Sequence, residues 1–257
     1  MLKFFGLFMV SVLVGCASVP APRLATAVEG GAPPYAAWAR VLEKHVDMEG
    51  RVNFAAVARD RADLDQFVAY VYAISPANRP DLFPTAQHVL AFHINAYNAL
   101  AMHKVIATGI PETLGGLRKV AFFAMGKVQV GGDAISLYDY ENKIIRALKE
   151  PRVHFALNCM SVSCPRLPRE VFLPETIDVQ LEQETRAFFA EARNTGIDAQ
   201  RQIVTLSEIL KFYPEDFLAV APSLVAYVNR YRDVKIPEFY KVEFADYDWT
   251  INRQPQR

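Results

Sequence analysis

Residues 85–108 read TAQHVLAFHINAYNALAMHKVIAT. Apolar side chains recur on nearly every side of a helical wheel, and Gly109 with Pro111 just beyond is a helix stop. A helix that is apolar nearly all round belongs in the middle of a fold, so this stretch predicts a central helix with other elements wrapped about it. Asn95, Asn98 and Met102 share one of its faces. A buried carboxamide needs hydrogen-bond partners, since leaving one unpaired costs a few kcal/mol. The two asparagines therefore either line a site or bracket a neighbouring loop; the sequence supports both.

Towards the N-terminus, Tyr35, Trp38, Leu42 and His45 form one helical stripe that ends at Glu49-Gly50, and a short extended piece follows from Arg51 to Phe54. Leu64, Phe67, Val68 and Val71 mark a second helix, and a proline-rich break spans Asn78 to Pro84. Towards the C-terminus, Lys119 to Phe123 and Lys127 to Val130 read as a hairpin turning at Met125-Gly126. Ser136, with Asp139 three residues on, reads as an N-cap opening a helix to about Leu148. Leu137, Glu141, Ile144 and Leu148 lie on one stripe of it, which puts Glu141 in the apolar face. A carboxylate there must be neutral, exposed at the end of the face, or paired with a cation. The nearest group in sequence that can supply that cation from a buried position is His154. Alternation of Val153, Phe155 and Leu157 with His154, Ala156 and Asn158 predicts a strand over 152–158. A helix from about Glu175 to Arg193, a strand over 203–206, helices over 207–213 and 223–231, and an extended VEFADYDWTIN complete the chain. The fold class is α+β: several helices packed on a small mixed or antiparallel sheet.

The chain has 257 residues, 52% of them hydrophobic, which is enough for a core as one large domain or two small ones. Lysine plus arginine equals aspartate plus glutamate at 28 each, without a run of like charge, so nucleic acid is excluded as a partner. MLKFFGLFMVSVLVGC at the start is a secretory signal over residues 1–15, and its small residue before Cys16 resembles the lipobox of bacterial lipoproteins. That resemblance implies acylation of Cys16, with the membrane as a partner through the lipid anchor, and Ala17 at the second mature position is similar to members sent to the outer membrane, facing the periplasm. Residues 16–34 read as lipidated cysteine and flexible tether, spanning about 25 Å as a coil, and 35–257 as a single globular domain.

FHINAYNALAMHKVI, SLYDYENKIIRAL, VHFALNCMSVSCP and YDWTIN, in that order from about Trp38 to Asn252, resemble the bacterial proteins built on domain of unknown function 547. The resemblance implies an exported protein with an asparagine-rich helix, a glutamate-bearing helix and a His-Phe-Ala-Leu-x-Cys segment, and names no substrate. A remote likeness to the papain and transglutaminase folds would make it a cysteine hydrolase. Two positions depart from the pattern: the aromatic before INAYN, commonly tryptophan, is His93, and the histidine that often follows the helix glutamate is Asn142.

A cysteine nucleophile needs a base to lower its pKa and a third group to orient that base. Cys159, His154 and Glu141 supply those types. His154 and Cys159 are five residues apart, which puts them on opposite faces of an unbroken strand, so either a turn from Asn158 swings the sulfur round or Cys164 is the nucleophile, with Pro165 opening a short helix behind it. The resemblance is strongest at Cys159. Against this stands a structural disulfide: with Cys16 acylated, Cys159 and Cys164 are the two cysteines left in an oxidising compartment. Neither HExxH nor CxxC occurs and His45, His88, His93 and His103 lie on helices at no ligand spacing, so no metal or other cofactor is expected. The expectation is thus a membrane-tethered envelope hydrolase or acyl transferase acting on an amide or peptide. The alternative is a binding or scaffolding module in which Asn95, Asn98, Glu141, His154 and Asn158 form a closed polar network. Tyr247 and Trp249 suit a cleft wall or the core.

Overall fold

The structure, a computed structural model, describes residues 19–22 and 31–255. The signal and Cys16 lie outside the described residues. At its centre Thr85 caps α4 (Ala86–Ala107), its hydroxyl accepting from the His88 amide, and every residue from Ala91 to Val105 is buried. The all-round apolar pattern has that single cause. On one side α1 (Tyr35–His45) packs on α3 (Ala62–Ala73), with Trp38 stacked on Phe67 at 5.9 Å. Between them α2 (Phe54–Arg59) is capped by Asn53, which accepts from the Ala56 amide.

The hairpin forms one strand later in the chain than its sequence pattern suggests. Residues 117–125 are helical instead, as α5 (Leu117–Lys119) and a wide π turn over Val120–Met125. The strands are β1 (Lys127–Val130) and β2 (Asp133–Ser136), joined by Gly131 and Gly132 at φ 61° and 92°. A two-residue loop with both φ positive matches the twist of paired strands, and Gly131 has no alternative: a Cβ there would sit 2.1 Å from Ser75 Oγ. Ser136 accepts from the Asp139 amide at 3.0 Å, as its capping pattern predicts. The helix it opens is irregular: α6 (Leu137–Asp139), a π turn over Tyr140–Ile145, then a 3₁₀ turn over Arg146–Leu148.

The strand expected over 152–158 is a 3₁₀ helix, Pro151–Phe155, started by Pro151 and capped by the Glu150 carboxylate on the Arg152 amide. Its period-two pattern has another origin. Val153, Ala156 and Leu157 face a large apolar cluster around α1, α3 and α4, whereas Phe155 enters a second cluster with Phe188, Phe189, Phe217 and Tyr227. A short coil between two cores alternates as a strand does. The short helix expected after Cys164 is also absent, the backbone from Pro165 running without helical turns.

The second cluster sits under α7 (Ile177–Ala190), a three-stranded sheet, and the helices α8 (Ile209–Phe212), α9 (Pro214–Leu218) and α10 (Leu224–Arg230). The sheet runs β3 (Thr195–Asp198), β4 (Ile203–Ser207), β5 (Lys241–Ala245), antiparallel then parallel. The fold is α+β, with a small mixed sheet. After β5 the closing segment stitches distant loops together: Val162 donates to Thr250 O, Leu114 to Trp249 O, and Val52 to Asn252 O. Among the described residues no helix is long and apolar enough to cross a membrane.

Residues 19–22, inside the expected tether, lie on the domain. The Val19 amide donates to Lys127 O of β1 at 3.0 Å, and Val19 itself is buried. Arg61, which can only donate, meets His103 Nδ1 at 2.8 Å, so His103 is protonated at Nε2 and donates from there to Pro20 O at 3.0 Å.

Candidate functional site

A pocket of about 390 Å³ opens where the two apolar clusters meet. α4 contributes Tyr97, the π turn contributes Glu141 and Asn142, the 3₁₀ helix over Pro151–Phe155 contributes His154, and the turn after it both cysteines. Tyr213 and the closing segment's Tyr247 and Trp249 complete the opposite wall. The wide turn over Tyr140–Ile145 carries an extra residue per turn, a feature that recurs at functional sites.

Glu141 is half-buried in this wall rather than in the apolar interface. It accepts a hydrogen bond from the Tyr97 hydroxyl at 3.2 Å, and its charge is felt by the Tyr213 phenol. Burial, reinforced by the Glu141 charge, pushes both phenols well above their ordinary value, so they act as donors at every physiological pH. Glu141 makes no ion pair among the described residues.

His154 is paired with a different carboxylate from the one its sequence neighbourhood suggests. Its Nε2 donates to Asp216 Oδ2 at 2.8 Å, and its ring stacks on Tyr213 at 4.2 Å between centroids. Arg146 grips the same Asp216 through Nε at 2.6 Å and a terminal nitrogen at 3.0 Å, and also binds Glu215. Asn142 accepts from Arg146 at 2.7 Å and so steers that guanidinium. Burial alone would raise the Asp216 carboxyl, but hydrogen bonds from His154 and Arg146 outweigh it and hold it below the usual carboxylate range. Asp216 is absent from the sequence reading. Its one signal was Pro214 opening a helix with Glu215 and Asp216 in the first turn, and that marks a helix start, not a partner sixty-two residues away.

Cys159 and Cys164 face one another at disulfide distance, their Cα atoms 6.3 Å apart. The turn that brings them together starts at Asn158 and places Met160 at φ 71°. The Cys159 amide donates to Cys164 Sγ at 2.9 Å, and the Tyr247 hydroxyl lies 3.4 Å and 3.2 Å from the two sulfurs. Glu141, His154, Cys159 and Cys164 therefore share one pocket, but without a Glu–His–Cys relay.

The three asparagines are buried brackets. Asn95 donates to Phe172 O and accepts from the Phe172 amide, mimicking a strand pair. Asn98 donates to Ala156 O and accepts from the Asn158 amide. Asn158 donates to Pro165 O at 2.6 Å and accepts from the Met160 amide at 2.7 Å, holding the cysteine turn closed. All three are occupied by backbone and none lines the pocket. The expected network of asparagines with Glu141 and His154 is thus two separate systems. His93 fills an aromatic's place, edge-on to Phe92 and Tyr140 and hydrogen-bonded to the Tyr140 hydroxyl at 2.8 Å. Among the described residues no group of three or more His, Cys, Asp or Glu side chains is placed to hold a metal ion.

The family model described as "Protein of unknown function, DUF547" matches residues 83–189. The match supports the family resemblance over that segment, which holds α4, Glu141, His154 and both cysteines. Tyr213, Tyr247 and Trp249 of the far wall, and Asp216 behind His154, lie outside it. No curated protein and no solved structure matches the chain.

Proposed function

We propose that this chain is an exported envelope protein, lipid-anchored at Cys16 and facing the periplasm from the outer membrane, whose pocket between the two cores binds a small ligand. In this reading the Cys159–Cys164 pair is a structural disulfide in the pocket wall. One observation carries it. Each sulfur has the other as its partner and the nitrogen His154 directs at a neighbour is engaged by Asp216, so no base stands on a free thiol. A pocket of this size, with polar groups converging between aromatic walls, is a usual form of a small-molecule site. The anchor rests on the signal and lipobox pattern of residues 1–16, and an oxidising compartment is where such a cysteine pair persists.

The test is thiol chemistry on protein taken from the envelope. Non-reducing peptide mapping should find Cys159 and Cys164 bonded to each other, and iodoacetamide should label neither. In the same preparation Cys16→Ser should release the protein from the membrane fraction. A second reading, a cysteine hydrolase or acyl transferase acting on an amide, is favoured by the presence of His154 and both sulfurs in one pocket. It replaces the first if one cysteine labels rapidly near neutral pH and His154→Ala slows that labelling more than tenfold.

A further inference from the structure

We infer that the pocket is selective for an organic ammonium group, held between the Glu141 carboxylate and an aromatic wall, and that Lys119 occupies that wall when no ligand is bound. The inference rests on the binding reading above and adds the chemical class of the ligand.

The charges around the pocket single out Glu141. Glu215 and Asp216 are both bound by Arg146, and Asp216 also by His154, so their charges are answered inside the protein. Glu141 has the Tyr97 hydroxyl and no ion-pair partner among the described residues. One hydroxyl donor stabilises a carboxylate but leaves its net charge in place, and a half-buried uncompensated charge is costly unless a cation answers it. The incoming group that lowers that cost is positive. An anionic ligand would meet Glu141 as a like charge, and Arg146 is already shared by two carboxylates and Asn142.

The wall beside Glu141 already receives an ammonium. Lys119 Nζ lies 4.1 Å from the centroid of the Trp249 ring and 5.3 Å from that of Phe212. Tyr247 packs against both rings, 4.3 Å from Trp249 and 5.5 Å from Phe212. These are the distances at which an aromatic face attracts a cation. Lys119 makes no ion pair among the described residues, and it stands on an exposed turn beside Leu117, which is 92% exposed. Its ammonium rests on aromatic faces and on no carboxylate, and its exposed place at the end of α5 lets it withdraw. The side chain is a built-in competitor for the ligand's cationic group.

The experiment uses the full chain in detergent with four probes: three matched in size, 1,5-diaminopentane, pentanoate and pentanamide, and a larger one, Nα-acetyl-lysine methylamide. Binding is read by calorimetry and by Trp249 fluorescence, with Trp249→Phe to identify the signal. The amines should bind saturably, pentanoate and pentanamide at least tenfold more weakly. Glu141→Gln should weaken amine binding at least tenfold. Lys119→Ala should strengthen it about two- to fivefold, the weight of one exposed cation–π contact. The two amines separate a free polyamine from a lysine-type side chain on a peptide: whichever binds more tightly names the source. Stronger binding of pentanoate than of the amines overturns the ammonium inference and leaves the binding reading standing. Weakening by Lys119→Ala overturns the competitor role even if Glu141→Gln fails to fold. Binding of none of the four, with the fold intact, overturns the binding reading itself.

Discussion

The His154 imidazole donates from Nε2 to Asp216 at 2.8 Å while its face lies against Tyr213 at 4.2 Å, so one carboxylate and one phenol ring fix both its edge and its plane. Tyr213 also feels the charge of Glu141, which helps raise its phenol. The ring that supports the histidine therefore also faces the pocket's uncompensated charge, with Arg146 over it at 4.9 Å and Asp216 held by that same guanidinium.

Replacing Asp216 by Asn should show this dependence. It removes the charge that His154 and Arg146 share, and hydrogen bonds to charged groups are worth about 1.5–3 kcal/mol each. With the carboxylate partly open to solvent, a net loss of about 1–2 kcal/mol at pH 7 is the expected result. Because the folded-state carboxyl titrates below its ordinary value, the stabilisation is present above about pH 4 and fades as pH falls through and below it. Urea melts of wild type and Asp216→Asn should therefore differ at pH 7 and converge towards pH 3. A constant difference across that range would show that the charge is not what matters.

His93 has a window of its own. Burial lowers its pKa to about 4, so the unfolded chain takes up a proton near pH 6.5 that the folded one refuses until about pH 4. Stability from this site is complete above pH 6.5 and declines on acidification, reaching a loss of about 3 kcal/mol near pH 4. His93→Phe keeps an aromatic in the same place. It should be less stable at pH 7, because the Tyr140 hydroxyl loses its partner at about 1–3 kcal/mol, and should match or exceed wild type by pH 4. Denaturant melts at four pH values would check the crossover.

The cysteine pair closes a short loop, for which the chain-entropy treatment gives about 2 kcal/mol. Cys159→Ser with Cys164→Ser should lower stability by that amount, and a reducing agent should bring wild type to the level of the double variant. If reduction leaves the melt unchanged, the sulfurs are not bonded in solution.

The central helix was legible in the sequence because two independent signals agreed on it, an apolar pattern on all sides and a Gly-x-Pro stop. The Ser136 cap was legible for the same reason, a local hydrogen bond with fixed spacing. Elsewhere local pattern was ambiguous. Lys119–Phe123 alternates like a strand, yet Gly131-Gly132 supplies the turn a hairpin needs, and that choice moved the hairpin downstream. Residues 152–158 alternate because two cores compete for neighbouring side chains. Within the pocket, residue type pointed to Glu141, His154 and the cysteines, but partnership did not follow from type. His154 meets Asp216 because α9 folds back across the second cluster, and no spacing rule in a single sequence encodes that approach. The asparagines were ambiguous until the partners were seen to be main-chain groups.

The docked segment at Val19 and Pro20 yields the last expectation, because a tether and a strap behave differently when cut. Burying Val19 contributes about 1.5 kcal/mol, and the hydrogen bonds to Lys127 O and from His103 contribute about 1 kcal/mol each. Fixing Val19 and Pro20 alone costs about 1–2 kcal/mol each, which offsets nearly all of that gain, so deletion of 17–22 should change stability by at most about 1 kcal/mol. Burial holds the His103 pKa below its ordinary value. Protonation at Nδ1 would set it against the Arg61 guanidinium but beside Asp65, 3.9 Å away, and Nε2 donates to Pro20 O in either form, so the strap does not depend on that titration. Hydrogen exchange at the Val19 amide gives a second readout: protection at pH 7.5 that is lost in His103→Ala. An unprotected Val19 amide at pH 7.5 would make residues 16–34 the free linker that their composition suggests, and would leave the orientation of the domain at a membrane unconstrained.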